Sequence, residues 1–128
     1  MNRKAIASAI VALSSAMSLV AGAAHAETFG ALYDDVTARD ARAQSQLEDA
    51  HTQYLLGNRP ESCDALERAR VNFETAYGEV EAIRDLVANG GDLEGHSANE
   101  VMAWVISQEK SAVALGGEMQ DFWQEHCR

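Results

Sequence analysis

The chain has 128 residues, 47% of them hydrophobic, and its 20 Asp and Glu residues against 10 Lys and Arg give a net charge of −10. An acidic surface repels the phosphates of nucleic acids and of anionic lipid headgroups, so this composition argues against nucleic acids and membrane surfaces as partners. Basic protein surfaces and metal ions remain compatible with the charge, and so does a surface that is only well solvated.

The first 26 residues have the organisation of a secretory signal peptide. Arg3 and Lys4 precede an uncharged stretch from residue 5 to residue 20, and Ala24-His25-Ala26 supplies a cleavage site of small residues. We therefore expect cleavage after Ala26, export to the periplasm or the extracellular space, and one mature domain at residues 27–128. That domain keeps 8 basic residues against all 20 acidic ones, a net charge of −12. The alternative is an uncleaved membrane anchor; no other stretch approaches the roughly 20 apolar residues of a spanning helix.

Two long segments of the mature domain have apolar residues at spacings of three and four, the pattern of amphipathic helices. The first predicted helix runs from about residue 28 to residue 56 and ends at Gly57. The second begins at Pro60, which suits the first turn of a helix, and ends near Asn89. The predicted core positions are Phe29, Tyr33, Val36, Ala43, Leu47, Ala50 and Tyr54 in the first helix and Cys63, Leu66, Phe73, Tyr77, Val80, Ile83 and Val87 in the second.

A third predicted helix begins after Ser97, which forms a capping box with Glu100. In this motif the serine hydroxyl accepts from the backbone amide three residues later, and the glutamate side chain reaches back to the serine amide. Each glycine inside a helix costs about 1 kcal/mol relative to alanine, so Gly116-Gly117 predicts a bend or a break. The core positions of this helix are Val101, Val105, Ala112, Leu115 and Met119.

Three helices joined by short turns predict an all-α, antiparallel up-down-up three-helix bundle. In this arrangement Cys63, at the start of the second helix, and Cys127, at the end of the third, lie at the same pole. An exported protein meets an oxidising environment, so we expect the two cysteines to form a disulfide. In the chain-entropy model, closing a loop of this length stabilises the fold by roughly 4 kcal/mol.

The mature sequence contains none of the spacings that mark common catalytic or cofactor sites. It has no G-x-S-x-G, H-E-x-x-H, P-loop or C-x-x-C motif, and no C-x-x-C-H for a c-type haem. We therefore expect neither an enzyme nor a cofactor. One alternative is a zinc or copper site at the cysteine-bearing pole, with ligands drawn from His51, His126, Glu61 and Asp64. Another is a thiol redox role for Cys63, whose thiolate a helix N-terminus would stabilise.

The third helix has more apolar surface than a single core stripe requires. Met102, Ile106 and Val113 form a second stripe beside the core stripe of this third predicted helix, which begins near residue 98 and is labelled α3; the second stripe is here called the α3 stripe. The sequence predicts that this stripe binds another protein or a second copy of the chain, with Trp104 and Trp123 at its margins. The alternative is that the first helix covers it. The predicted function is that of a small exported bundle with a non-catalytic interaction or structural role.

Polar residues replace apolar ones at a single level of the predicted bundle. Counting from the turns places Asp40, Tyr77 and Gln108 at this level. A buried polar layer can fix the register between helices, as it does in coiled coils. The alternative is a small internal binding site.

Overall fold

The computed structural model describes residues 27–128, and the predicted signal peptide lies outside the described residues. Three helices make up this part of the chain: α1 is Phe29–Leu55, α2 is Arg59–Ala88 and α3 is Ala98–His126. They pack into a helical bundle, and residues 27–128 contain no strand, so the predicted all-α class is confirmed. None of these three helices is both long and apolar enough to cross a membrane.

The helix ends follow the local signals of the sequence. The Thr28 hydroxyl accepts a hydrogen bond from the Ala31 amide, and the Ser97 hydroxyl accepts one from the Glu100 amide, each at 3.1 Å. The Ser97 half of the capping box is therefore confirmed, whereas the Glu100 carboxylate lies 3.7 Å from Nδ1 of His96. Gly57 reverses the chain after α1 with a φ of 80°, a left-handed conformation that glycine adopts without strain.

Small side chains bring α1 and α2 close together. The Ser62 hydroxyl of α2 donates a hydrogen bond of 2.6 Å to the backbone carbonyl of Ala50 in α1. A direct bond from so short a side chain requires closely spaced backbones, and Ser62 is fully buried with its donor satisfied. The alanines buried in these two helices are Ala43, Ala50, Ala65, Ala69 and Ala76.

Helix α3 packs against α1 and α2 through larger side chains, which form two apolar clusters. The Phe73 cluster contains Ala43, Leu47, Ala50, Ala65, Leu66, Ala69, Phe73, Met119 and Phe122. The Val105 cluster contains Phe29, Leu32, Val36, Ala76, Val80, Ile83, Val101 and Val105. Most predicted core positions are confirmed, but Tyr33 and Tyr54 are exposed by 39% and 42%. Leu32 takes the buried position that the sequence assigned to Tyr33.

Of the predicted bend or break at Gly116-Gly117, the break does not occur, because α3 runs through both glycines without interruption. A Cβ atom at Gly116 would lie 3.3 Å from Cζ of Phe73, and thus the absent side chain makes room for this ring. Packing against Phe73 offsets the low helix propensity of Gly116. Gly117 faces open space.

The last turn of α3 is held by residues at the start of α2. The sulfur atoms of Cys63 and Cys127 lie 2.08 Å apart and their Cα atoms 5.7 Å apart, so the predicted pair is at disulfide distance. Nε of Arg59 donates to the His126 carbonyl at 2.9 Å, and its Nη2 donates to the Arg128 carbonyl at 3.3 Å. The bond to His126 satisfies a carbonyl that a helix end leaves without an intrahelical partner.

Candidate functional site

The α3 stripe is exposed over two of its three residues. Ile106 is exposed by 45% and Val113 by 61%, and thus α1 does not cover them. Met102 is half-buried against the Val105 cluster. The exposed part of the stripe therefore lies in the middle of α3.

The two tryptophans contact different helices. Trp104 is half-buried, and its ring centroid lies 5.0 Å from that of Tyr33 in α1. Trp123 is exposed and lies beside Leu66 and Arg70 of α2. Trp104 therefore lies on the α1 side of α3 and Trp123 on the α2 side.

A cavity of about 300 Å³, here called the Trp123 groove, opens between α2 and α3. The buried side chains of Leu66 and Met119 form an apolar floor. Gly116 and Gln120 follow Val113 by three and seven residues, so they share its side of the helix and join the stripe to the groove. The lining residues are Leu66, Glu67, Arg70, Gly116, Met119, Gln120 and Trp123.

Charged side chains of α2 form the rim of the Trp123 groove. Arg70 pairs with Glu67 at 2.6 Å and with Glu74 at 2.8 Å. The hydrogen bond from Arg70 lowers the pKa of the Glu67 carboxyl. Arg70 is therefore shared between two carboxylates, of which Glu67 lines the groove.

The two histidines proposed as metal ligands both pack against aromatic rings. The His51 ring packs edge-on against Phe122 at 4.7 Å, and the His126 ring lies 4.7 Å from Phe122 and 3.9 Å from Tyr54. In residues 27–128 no group of three or more His, Cys, Asp and Glu side chains is placed to hold a metal ion. His51 and His126 therefore do not form such a group with Glu61 and Asp64.

A cavity lined by both polar and apolar side chains lies between the two apolar clusters at the predicted level. Asp40, Tyr77 and Gln108 line one cavity of about 60 Å³, here called the polar cleft, so their placement at a common level is confirmed. Gln44 and Ser111 also line it. Burial raises the pKa of the Asp40 carboxyl. A volume of this size has room for a few water molecules, which need polar partners of this kind.

A carboxyl pair between α1 and α2 was not foreseen from the sequence. Burial, together with a hydrogen bond to Asp35 and the charge of Asp35, raises the pKa of Glu79 to about 8. The bond from Glu79 is also the main cause that lowers the pKa of Asp35, which Arg39 contacts at 2.7 Å. At neutral pH the Glu79 carboxyl is therefore protonated, and it donates a hydrogen bond to the Asp35 carboxylate. Asp35 and Arg39 are four residues apart and resemble an ordinary surface pair; only the fold brings Glu79 to them.

Comparisons with models of protein families, with curated proteins and with solved structures found no match. The surface, the cavities and the charges of the bundle are therefore the basis for assigning a function. The α3 stripe predicted from the sequence is exposed at Ile106 and Val113, and it adjoins the concave Trp123 groove that the structure shows.

Proposed function

We propose that the protein is an exported, non-catalytic interaction module that binds a partner protein through the α3 stripe and the Trp123 groove. The observation that carries this proposal is the exposure of Ile106, Val113 and Trp123 beside an apolar-floored groove. Exposed apolar area next to a concave surface is typical of protein interaction sites. The residues that line the groove do not include a nucleophile beside an acid and a base, the arrangement that would favour catalysis there.

The shape of the surface favours a helical partner. A groove between two helices accepts the apolar stripe of a third element, in the manner of a helix bound in a groove. The distance from Ile106 to Trp123 along α3 is about 25 Å at 1.5 Å per residue. A partner helix of four to five turns matches about this length.

Charge favours a basic partner over a second copy of this chain. The mature domain has a net charge of −12, so two copies repel each other at low ionic strength. Glu67 lines the groove, and its largely exposed carboxylate is available to an incoming chain. The partner is therefore expected to be an amphipathic helix with Lys or Arg beside its apolar stripe.

An antiparallel, up-down-up arrangement of the three helices is part of the proposal. Support comes from Ser62 meeting Ala50, because the start of α2 then lies beside the end of α1. Cys63 meeting Cys127 and Arg84 pairing with Glu109 support the same relation between α2 and α3. Export through a signal peptide at residues 1–26 is supported by the sequence pattern and by the cysteine pair.

Site-specific photo-crosslinking in the native host tests this function. A photoreactive amino acid is placed at Ile106 or Val113, and at Val71 as a control, because Val71 is also an exposed valine and has 51% exposure. We expect an adduct of one defined mass at positions 106 and 113 and none at 71. Equal adducts at all three positions, or none at any, would contradict the proposal.

Affinity measurements with the captured partner extend the test. Val113→Asp is expected to weaken binding at least about tenfold, because it places a charge in an apolar contact, and Val71→Asp leaves binding unchanged. Sedimentation of the purified protein tests the alternative that the α3 stripe binds a second copy of the chain. A dimer that Val113→Asp dissociates would show that the stripe binds a second copy, which overturns the proposal of a basic partner.

A further inference from the structure

A third cavity lies where the first turns of α1 and α3 meet, away from the α3 stripe. It has a volume of about 280 Å³ and is here called the aromatic pocket. For comparison, an apolar cavity of about 150 Å³ is large enough to hold benzene. The pocket is lined by Phe29, Tyr33, His96, Glu100, Val101 and Trp104.

Four rings follow one another around this pocket. The ring centroids of Trp104 and Tyr33 lie 5.0 Å apart, those of Tyr33 and Phe29 5.9 Å, and those of Phe29 and His96 5.5 Å. The tilts between neighbouring rings are 46°, 37° and 55°, so the rings form a faceted wall in place of a flat stack. Phe29 is buried at the base and Tyr33 is exposed, which leaves the wall open to solvent on one side.

Negative charge stands at the edge of the aromatic wall. Glu100 lies one helical turn before Trp104, and its carboxylate is 3.7 Å from His96. The pocket therefore combines aromatic rings, whose faces carry partial negative charge, with a carboxylate, inside a domain whose net charge is −12. Each of these features attracts a cation.

We propose that the aromatic pocket binds a quaternary or methylated ammonium group. The face of an aromatic ring attracts a cation within about 6 Å of its centroid, and aromatic walls recognise methylated ammonium ions in this way. An ion that carries methyl groups also buries apolar surface against the rings, whereas a bare ammonium would lose its hydration shell. The Glu100 carboxylate supplies the long-range attraction, and the ring faces supply the contact.

Choline is the probe, and 3,3-dimethylbutan-1-ol, a neutral molecule of the same shape, is the matched ligand. The titrations use Trp123→Phe protein, in which Trp104 is the only tryptophan, so the fluorescence reports on the pocket. Choline is expected to bind more tightly than the neutral alcohol, by roughly 3- to 30-fold. Equal affinity would show that the pocket binds apolar groups whatever their charge, which would overturn the proposal. The absence of a fluorescence change with either ligand would also overturn it.

Three variants locate the site. Tyr33→Leu removes a ring face and is expected to weaken choline binding roughly 3- to 30-fold. Tyr54→Leu is the matched control, because Tyr54 is also an α1 tyrosine of similar exposure but lies at the other end of the helix. It leaves choline binding unchanged.

Glu100→Gln, the third variant, keeps the pocket shape and removes its charge. Because Glu100 is exposed, this variant folds even if Tyr33→Leu does not. Its choline affinity is expected to fall and to lose most of its salt dependence, whereas its affinity for the neutral alcohol stays the same. Unchanged choline affinity in both Tyr33→Leu and Glu100→Gln would place the ligand elsewhere and refute the assignment.

Discussion

Replacing Glu79 with glutamine is expected to stabilise the protein at neutral and alkaline pH. A glutamine side chain has nearly the same shape, and its amide can donate to Asp35 as the protonated carboxyl does. In the folded protein the pKa of Glu79 is about 8, against an ordinary value of 4.5. The folded state therefore binds more protons than the unfolded state between these two values, and the native protein loses stability as pH rises through this window.

The size of the effect follows from 1.36 kcal/mol for each pKa unit. The upper limit is about 3 kcal/mol at pH 7 and about 5 kcal/mol above pH 8. The pKa of about 8 already includes the attraction of Arg39, and the lowered pKa of Asp35 contributes stability of the opposite sign, which reduces the effect. We therefore expect Glu79→Gln to gain about 1–2 kcal/mol at neutral pH and close to nothing near pH 4.

Urea unfolding followed by far-ultraviolet circular dichroism measures this gain at acidic, neutral and alkaline pH. Glu48→Gln is the control, because Glu48 is an exposed carboxylate on α1 and its replacement should change the free energy of unfolding by less than about 0.5 kcal/mol. A difference between Glu79→Gln and the native protein that does not vary with pH would refute the shared proton. Destabilisation at every pH would show that the amide does not fit between α1 and α2.

Three further predictions concern the disulfide, the glycine pair and the histidines. Cys127→Ser should lower the free energy of unfolding by roughly 3–4 kcal/mol, and a reducing agent should remove the difference from the native protein. Gly117→Ala should raise helix stability by about 0.5–1 kcal/mol in thermal unfolding, because the new methyl group meets open space. Gly116→Ala should gain less, because Phe73 is buried and cannot move away; equal gains would contradict the tight contact. Calorimetric titration with zinc or copper should give no heat beyond dilution, and heat that His51→Ala abolishes would favour a metal site instead.

The sequence predicts the helices and the cysteine pair well because both depend on local signals. Gly57, Pro60 and the Ser97 cap act within one or two turns, and the pairing of Cys63 with Cys127 needs only three helices of similar length. The tyrosines were less predictable. Tyr54 lies on the core side of α1 but in its last turn, where its ring covers His126 and Phe122 without being enclosed.

The candidate site could be predicted only in part, because the sequence does not show how α3 is rotated about its axis or which residues of α1 and α2 it contacts. Period counting identifies Ile106 and Val113 as surplus to the core stripe. It does not say whether Trp104 and Trp123 turn toward α1 or α2, since that depends on how α3 sits on its neighbours. Gly116 lines the Trp123 groove. The sequence predicted a bend or a break at this glycine, and did not show that the missing side chain makes room for the Phe73 ring.

The polar cleft has a consequence for how the molecule opens. It lies between the two apolar clusters, and the cysteine pair lies with the Phe73 cluster, whereas no disulfide joins the helices around the Val105 cluster within residues 27–128. Proteins often exchange their amide hydrogens by separate, cooperative openings of such units. Amides around Val105 should therefore exchange faster than those around Phe73 in the oxidised protein, and the two halves should approach a common rate once the cysteines are reduced.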